Sequence, residues 1–195
     1  MSLRDSSHES ALLGMPPGAG EPLEQPAVWM RQCLRADFER NPRKTQRITL
    51  ILLRAGRAWH RRPGLRPWLL RRVIHVAKLV WLEGLIGAEI PNEVYIGPGV
   101  RIPHSLRGVM MHPSVVIGSG CTVYHQTVFG VRDERGGPVV GDHVEVGAGA
   151  KLLGPIRVGD GCRIGANAVL VKDAEPHGTY VGVPAARVPS RRGRS

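Results

Sequence analysis

The run from Val140 to Leu170, VGDHVEVGAGAKLLGPIRVGDGCRIGANAVL, restarts every six residues, with Val140, Val146, Leu152, Val158, Ile164 and Leu170 each leading a hexad. Gly141, Gly147, Gly159 and Gly165 directly follow four of these leaders, and the position four beyond a leader is again small or apolar (Val144, Ala150, Ile156, Cys162, Ala168). A helix needs a period of 3.6 and an isolated half-buried strand a period of 2, so a period of six belongs to neither. A short internal period marks a stacked solenoid. The same spacing extends backwards through Ile96, Ile102, Met111, Ile117, Val123 and Phe129, with a step of six in nine of the eleven intervals. Three extra residues between Ile102 and Met111, and five between Phe129 and Val140, read as single loops let into a regular coil. Twelve hexads argue against a chance run of Val-Gly and Ile-Gly pairs.

Each hexad then supplies one short strand and one turn, three hexads make a triangular coil, and the leaders stack inside it. Glycine after a leader, as at Gly97 and Gly118, allows the backbone to turn where a side chain would clash. Counting by thirds places Ile102, Val123, Val146 and Ile164 on one face. Two residues after each come His104, His125, Ala148 and Ala166, an outward column at one corner. At one strand separation per coil, His104 and Ala166 lie about 14 Å apart, about the reach of an extended thioester arm.

A histidine at one end of such a groove and alanine with glycine at the other suit acyl transfer from coenzyme A. The imidazole can take the proton of an acceptor hydroxyl as it attacks the thioester carbonyl. The small residues Gly147-Ala148-Gly149 and Gly165-Ala166-Asn167 let backbone amides approach a pantetheine chain. Lys172 or Arg187, beyond the last coils, could meet nucleotide phosphates. His125 divides evenly between a structural bond to the next rung and a role in the chemistry.

Outside the solenoid the composition changes twice. Residues 1–26 are rich in Ser, Gly, Pro and Glu and read as a disordered leader with no apolar core of an export signal. Residues 27–87 form an α-helical cap: one helix from Ala27 to about Arg40, a second from about Thr45 to His60, and a third from near Pro67 to about Ile86, closed by Gly87. Val28, Met30, Leu34 and Phe38, then Ile48 and Leu50 to Leu53, then Leu69, Leu70, Val73, Ile74, Val76, Val80 and Trp81 give these helices their apolar faces. The cap covers the open edge where the solenoid starts. The β-helix domain is 88–188, and 189–195 form a basic tail.

The formal charge of +11 is concentrated in the cap, where Arg31 to Glu83 hold fourteen Lys or Arg against three acids. The arginines recur at helical spacing without interleaved stacking aromatics, which disfavours nucleic acid as a partner and favours a solvated face or attraction to anionic ligands. A basic amphipathic helix on a membrane surface is the rival reading for Leu65 to Leu85. No apolar run reaches the length of a membrane span. Cys33, Cys121 and Cys162 are an odd, sparse set, the latter two at inward hexad positions, so packing explains them better than a disulfide or a metal site. The expected location is cytoplasmic.

These motifs resemble the serine acetyltransferases and, more widely, the hexapeptide-repeat acyltransferases. The likeness runs from about Leu34 to Val188 and is strongest in Val146-Gly-Ala-Gly-Ala-Lys-Leu-Leu-Gly154 and in Gly182-Val-Pro-Ala185. The resemblance implies a mainly β fold, a left-handed parallel β-helix behind an N-terminal helical cap, with acetyl-CoA as co-substrate, no metal, and a homotrimer or dimer of trimers with active sites between neighbouring coils. It makes His104 the catalytic base and Glu89, fifteen residues earlier, the carboxylate that orients it, with Glu93 as a competitor. Pro103, Asn41 and the stretch Arg135-Gly136-Gly137-Pro138 depart from the family at positions that hold its amino acid acceptor, and His125 resembles relatives that modify polysaccharides. The acceptor is accordingly a small-molecule or saccharide hydroxyl, with L-serine and a sugar both open. Two readings from other classes stand beside this one. One is a zinc-dependent hydratase of the γ-carbonic-anhydrase type using His104 and His125 as ligands, and the other a non-catalytic trimeric scaffold.

Overall fold

A computed structural model describes residues 25–60, 62–133 and 135–189. Apart from Gln25, Pro26 and Pro189, the expected leader and tail lie outside the described residues. Three helices come first: α1 (Pro26–Arg40), α2 (Lys44–Ala58) and α3 (Leu65–Lys78), the last running on as a π-helix over Leu79–Ile86. Helix α1 starts on a proline, whose missing N–H would be unpaired in the first turn anyway. Helix α3 begins two residues before the expected Pro67, which falls third in it, still within the turn whose amides have no intrahelical acceptor. Gly87 closes the π-helix in the left-handed conformation, with φ 69°.

The apolar faces expected of the helices are only partly buried. In α2, Leu50 and Leu53 point inward together with Gln46, Thr49, Arg54 and Arg57, while Ile48 and Ile51 are exposed. In α3 and its extension the buried line is Ile74, Lys78, Leu82 and Ile86, and Leu69, Val73, Val76 and Val80 are exposed. A four-residue spacing drifts around a 3.6-residue helix, and the wider i→i+5 turn brings Leu82 and Ile86 back to the buried side. No helix among the described residues is long and apolar enough to cross a membrane.

Thirteen strands of two or three residues follow: β1 (Tyr95–Ile96), β2 (Met110–Met111), β3 (Val116–Ile117), β4 (Thr122–Val123), β5 (Val128–Gly130), β6 (Val139–Val140), β7 (Glu145–Val146), β8 (Lys151–Leu153), β9 (Arg157–Val158), β10 (Arg163–Ile164), β11 (Val169–Leu170), β12 (Thr179–Val181) and β13 (Ala186–Val188). They stack into three sheets, in the orders β1-β3-β6-β9, β2-β5-β8-β11 and β4-β7-β10-β12-β13, parallel throughout except β13 on β12. Every third strand shares a sheet, as the period of six requires, and the solenoid is a left-handed parallel β-helix. All twelve leaders are buried, Ile102, Phe129 and Leu152 completely.

Glycine serves two separate needs in this coil. At Gly147 a Cβ would stand 2.7 Å from the amide nitrogen of Ala166 on the next rung, so the requirement there is close stacking. The left-handed backbone that turns the corner lies two residues later, at Gly149, with φ 71°.

The helical cap closes the first coil by hydrogen bonding. An uncapped coil would leave a row of backbone groups without partners. Arg54 donates to the carbonyls of Ile96 and Gly97, Arg40 to those of Gly99 and Gly120, Lys78 to Ile90, and Gln46 to Ile102 and Pro103, both at 3.1 Å. The amides of Gly99 and Val100 donate to Asp37 Oδ1, and Asp37 holds Arg54 in a two-bonded ion pair. Asn41, fully buried, accepts from the Ile102 amide at 2.8 Å and donates to the Val100 carbonyl at 2.7 Å, copying the pairing of an adjacent strand. This is why the inward faces of α1 and α2 carry polar side chains: they substitute for a missing coil.

Candidate active site

His104 leaves the solenoid at the corner after Ile102. Asn41 and Gln46 hold the backbone of Ile102 and Pro103 from the cap side. Beyond it, Ser105 and Leu106 both take left-handed backbone conformations, and Leu106 and Val109 plug the interior. The inserted loop is pinned to the next rung by the Gln126 amide on the Arg107 carbonyl, 2.8 Å. The backbone that carries the imidazole is therefore held at both ends, and His104 stays exposed.

The counted register is the observed one. Val123 pairs with Val146 and Val146 with Ile164, and Arg101 bridges to Thr122 on the same sheet. His104 and His125 consequently stack on neighbouring rungs, with ring centroids 4.7 Å apart and planes at 79°. The Nδ1 of His125 is buried and has no hydrogen-bond partner among the described residues. The rung-to-rung bond considered for this side chain is absent there, and it packs on His104 instead.

Two clefts run along this corner. The first, about 250 Å³, lies between the cap and the first coils, where Arg43 and Thr45 from the start of α2 and Ile86 from the end of the π-helix face Pro103, His104 and Ser105, with Arg107 and His125 completing it. The second, about 370 Å³, continues down the coils past Tyr124, Gly147, Ala148, Gly165 and Ala166, with Glu145, Arg163 and Thr179 on its outer wall. His104 and the alanine pair thus stand at successive openings of one edge.

The amides expected to meet a pantetheine chain are mostly engaged. Gly147 donates to Ile164, Gly149 to His125, Gly165 to Tyr180 and Asn167 to Ala148. Among the described residues the Ala148 and Ala166 amides donate to no acceptor, so the donors left for a ligand are those of the alanines. Glycines Gly147, Gly149 and Gly165 contribute clearance.

The structure separates the other predicted residues from this edge. Glu89 bridges to Met110 on the adjoining sheet, and its exposed carboxylate makes no hydrogen bond to His104. Glu93 faces His60 Nε2 at 3.6 Å. Arg187 forms an ion pair with Glu175 and lines a third cleft with Gly161 and His177, at the corner on the opposite side of the β4-β7-β10 sheet, because the antiparallel β13 folds back over β12. Lys172 is exposed and lines neither cleft. Asn41 is buried within the cap contact and does not reach the cleft lining. Arg163, Arg43 and Arg107 were not anticipated. Arg163 was findable, since the residue before each leader points outward and Arg163 precedes Ile164 on the face of Ala166. Arg43 reaches the cleft only through the packing of the cap. Cys33, Cys121 and Cys162 are free and buried, and burial pushes the Cys121 thiol up to about 11. No group of three or more His, Cys, Asp or Glu able to hold a metal ion occurs among the described residues.

The family described as bacterial transferase hexapeptide (six repeats) matches residues 137–172. A serine acetyltransferase of Mycobacterium tuberculosis is 38% identical over 163 residues, covering 80% of this chain and 70% of the relative. The chain belongs to the serine acetyltransferase family. It is therefore an acetyltransferase. A second family member, from Helicobacter pylori, is 36% identical over 146 residues, 73% of this chain and 81% of its own length. Among solved structures the family fold is matched by soybean serine acetyltransferase without ligand, with a TM-score of 0.65 and 29% identity over 84% of this chain and 69% of that one. The Neisseria gonorrhoeae serine acetyltransferase in complex with serine gives a TM-score of 0.65 at 28% identity, over 83% and 68% of the two chains.

Proposed function

We propose that this protein transfers the acetyl group of acetyl-CoA to a hydroxyl, with His104 as general base and with L-serine as the acceptor its relatives indicate. The observation that carries this reading is the single edge on which an exposed imidazole, on a backbone segment anchored on both sides, adjoins a cleft lined by Ala148 and Ala166. The acceptor occupies the first cleft with its hydroxyl against the imidazole. His104 removes the hydroxyl proton as the oxygen attacks the thioester carbon, and the tetrahedral adduct collapses with cleavage of the C–S bond. The imidazolium returns the proton to the departing thiolate, so the products are the O-acetyl ester and free CoA. No covalent enzyme intermediate is needed.

The amides of Ala148 and Ala166 hydrogen-bond the pantetheine, and Arg163 stands closer to that cleft than Lys172 or Arg187 for contact with phosphate. Glu89 keeps its orienting role in this reading from the family resemblance alone. The assembly is a homotrimer or a dimer of trimers, which light scattering would measure. The test is thiol release from acetyl-CoA with a panel of hydroxyl acceptors. His104→Ala should lower kcat by about 10²- to 10⁴-fold, the usual contribution of a general base, with CoA binding retained. Unchanged turnover in that variant would remove His104 as the base, absence of thiol release with every acceptor would favour the scaffold reading, and stoichiometric zinc in the purified protein would favour the hydratase.

A further inference from the structure

The acceptor cleft is cationic. Arg43 and Arg107 both line it beside His104, and no Asp or Glu stands among its described lining residues. Three other arginines that meet the coil have counter-ions: Arg54 pairs with Asp37, Arg163 with Glu145 and Arg187 with Glu175. Arg43 and Arg107 have no ion-pair partner among the described residues, and both are exposed. Two unneutralised guanidinium groups at one small cleft repel each other and attract an anion, and the planar fork of arginine suits carboxylate or phosphate oxygens.

Among the described residues no carboxylate lines the cleft to pair with an ammonium. Pro103 offers no hydrogen-bonding side chain, and the Asn41 amide is spent on Ile102, Val100 and Asp37. On the reading that this cleft holds the acceptor, we infer that the acceptor is gripped by a negatively charged group, a carboxylate or a phosphate, held by Arg43 and Arg107, and that its amino group is not read. Scale supports a compact molecule. Arg107 and His104 belong to one turn of backbone, closed by the Arg107 amide on the His104 carbonyl at 3.1 Å, and a cleft of about 250 Å³ suits a hydroxy acid or a hydroxyalkyl phosphate better than an oligosaccharide.

The experiment compares L-serine, glycerate, glycerol 3-phosphate, serinamide and glycerol as acceptors in thiol release from acetyl-CoA, together with calorimetric titration of glycerate into the full chain. Glycerate or glycerol 3-phosphate should match or exceed serine, and whichever leads identifies carboxylate or phosphate as the anion. Serinamide and glycerol should fall about thirtyfold in kcat/KM, the scale of a hydrogen bond to a charged group. Arg107→Ala and Arg43→Ala should each raise KM for the preferred anionic acceptor by a similar factor, leave KM for acetyl-CoA unchanged and erase the preference over glycerol. Arg107→Lys should recover part of the loss. Serinamide or glycerol used as well as glycerate, or unaltered KM in both alanine variants, would overturn the inference while leaving the transferase reading intact. Glycerate binding that is lost in the alanine variants, without thiol release from any acceptor, would uphold the anion site and sink the transferase reading. Absence of both binding and turnover would end the inference.

Discussion

Replacing Asn41 by aspartate changes one atom of a fully buried side chain and should destabilise the protein by several kcal/mol. The amide group of Asn41 donates to the carbonyls of Val100 and Asp37, each at 2.7 Å, while its oxygen accepts from the Ile102 amide at 2.8 Å. A carboxylate keeps only the last of these. Two buried carbonyls lose their donor, at about 1–3 kcal/mol each, and a charge is placed against their oxygens without a partner, so the total at neutral pH is about 4 kcal/mol or more. That is a large share of an ordinary domain stability of about 5–15 kcal/mol.

The pH dependence distinguishes this cause from simple loss of packing. Burial against carbonyl oxygens raises the folded-state pKa of the new carboxyl above its unfolded value of about 3.9. The protonated form can donate one bond again, so stability is highest below that unfolded value and is lost as pH rises through the raised folded pKa. Urea unfolding of Asn41→Asp, Asn41→Ala and the parent protein at pH 5 and 7.5 measures it. The aspartate variant should lose ground between the two pH values relative to the alanine variant. Refutation would be an aspartate variant within about 1 kcal/mol of the parent at pH 7.5, below the cost of even one orphaned carbonyl, or a deficit equal to that of alanine at both pH values.

Three further outcomes follow from the same contacts. Burial pushes the Lys78 amine down to about 8 from 10.5, so the unfolded chain binds more protons than the folded one between those values and this group makes stability rise with pH. The parent should gain about 1 kcal/mol over Lys78→Met between pH 8 and 9, read as a Tm difference of about 2–4 °C; comparison at fixed pH removes the opposing thiols Cys33 and Cys121, whose burial raises them to about 11. Ala166→Leu narrows the second cleft at an exposed site and should raise KM for acetyl-CoA about tenfold or more, the scale of a lost charge-assisted or steric contact, with Tm unchanged; an unaltered KM would remove Ala166 from the cofactor site. Gly147→Val would put its Cβ 2.7 Å from the Ala166 amide and should lower Tm by several degrees through forced separation of two rungs, at about 1–3 kcal/mol for overpacking.

The coil was legible because its period is a one-dimensional signal. A leader every six residues sets the rung, and the column His104, His125, Ala148 and Ala166 follows by counting. What counting could not reach are features that depend on how the cap meets the coil. Asp37 draws no notice in the sequence and Asn41 stands out only as a departure at an acceptor position, yet both are fully buried, because their partners include backbone groups about sixty residues away that carry no sequence signature. Leu69, Val73 and Val76 erred in the opposite direction: helical periodicity marks an apolar stripe without saying whether this chain covers it. Arg187 lies off the second cleft through topology, since a hairpin return at β13 moves a residue around a corner that a continued spiral would have kept in line.

A repeating coil has no intrinsic stopping point, and a second molecule could in principle stack on either end and continue it as a fibre. Here the leading end offers arginine, asparagine and aspartate side chains already engaged where a foreign strand would dock, and the trailing end is folded over by an antiparallel strand that breaks the pattern. The number of rungs, and with it the length of the substrate edge, is thereby set by its two terminations, so trimming either one should convert a discrete enzyme into a polymerising one.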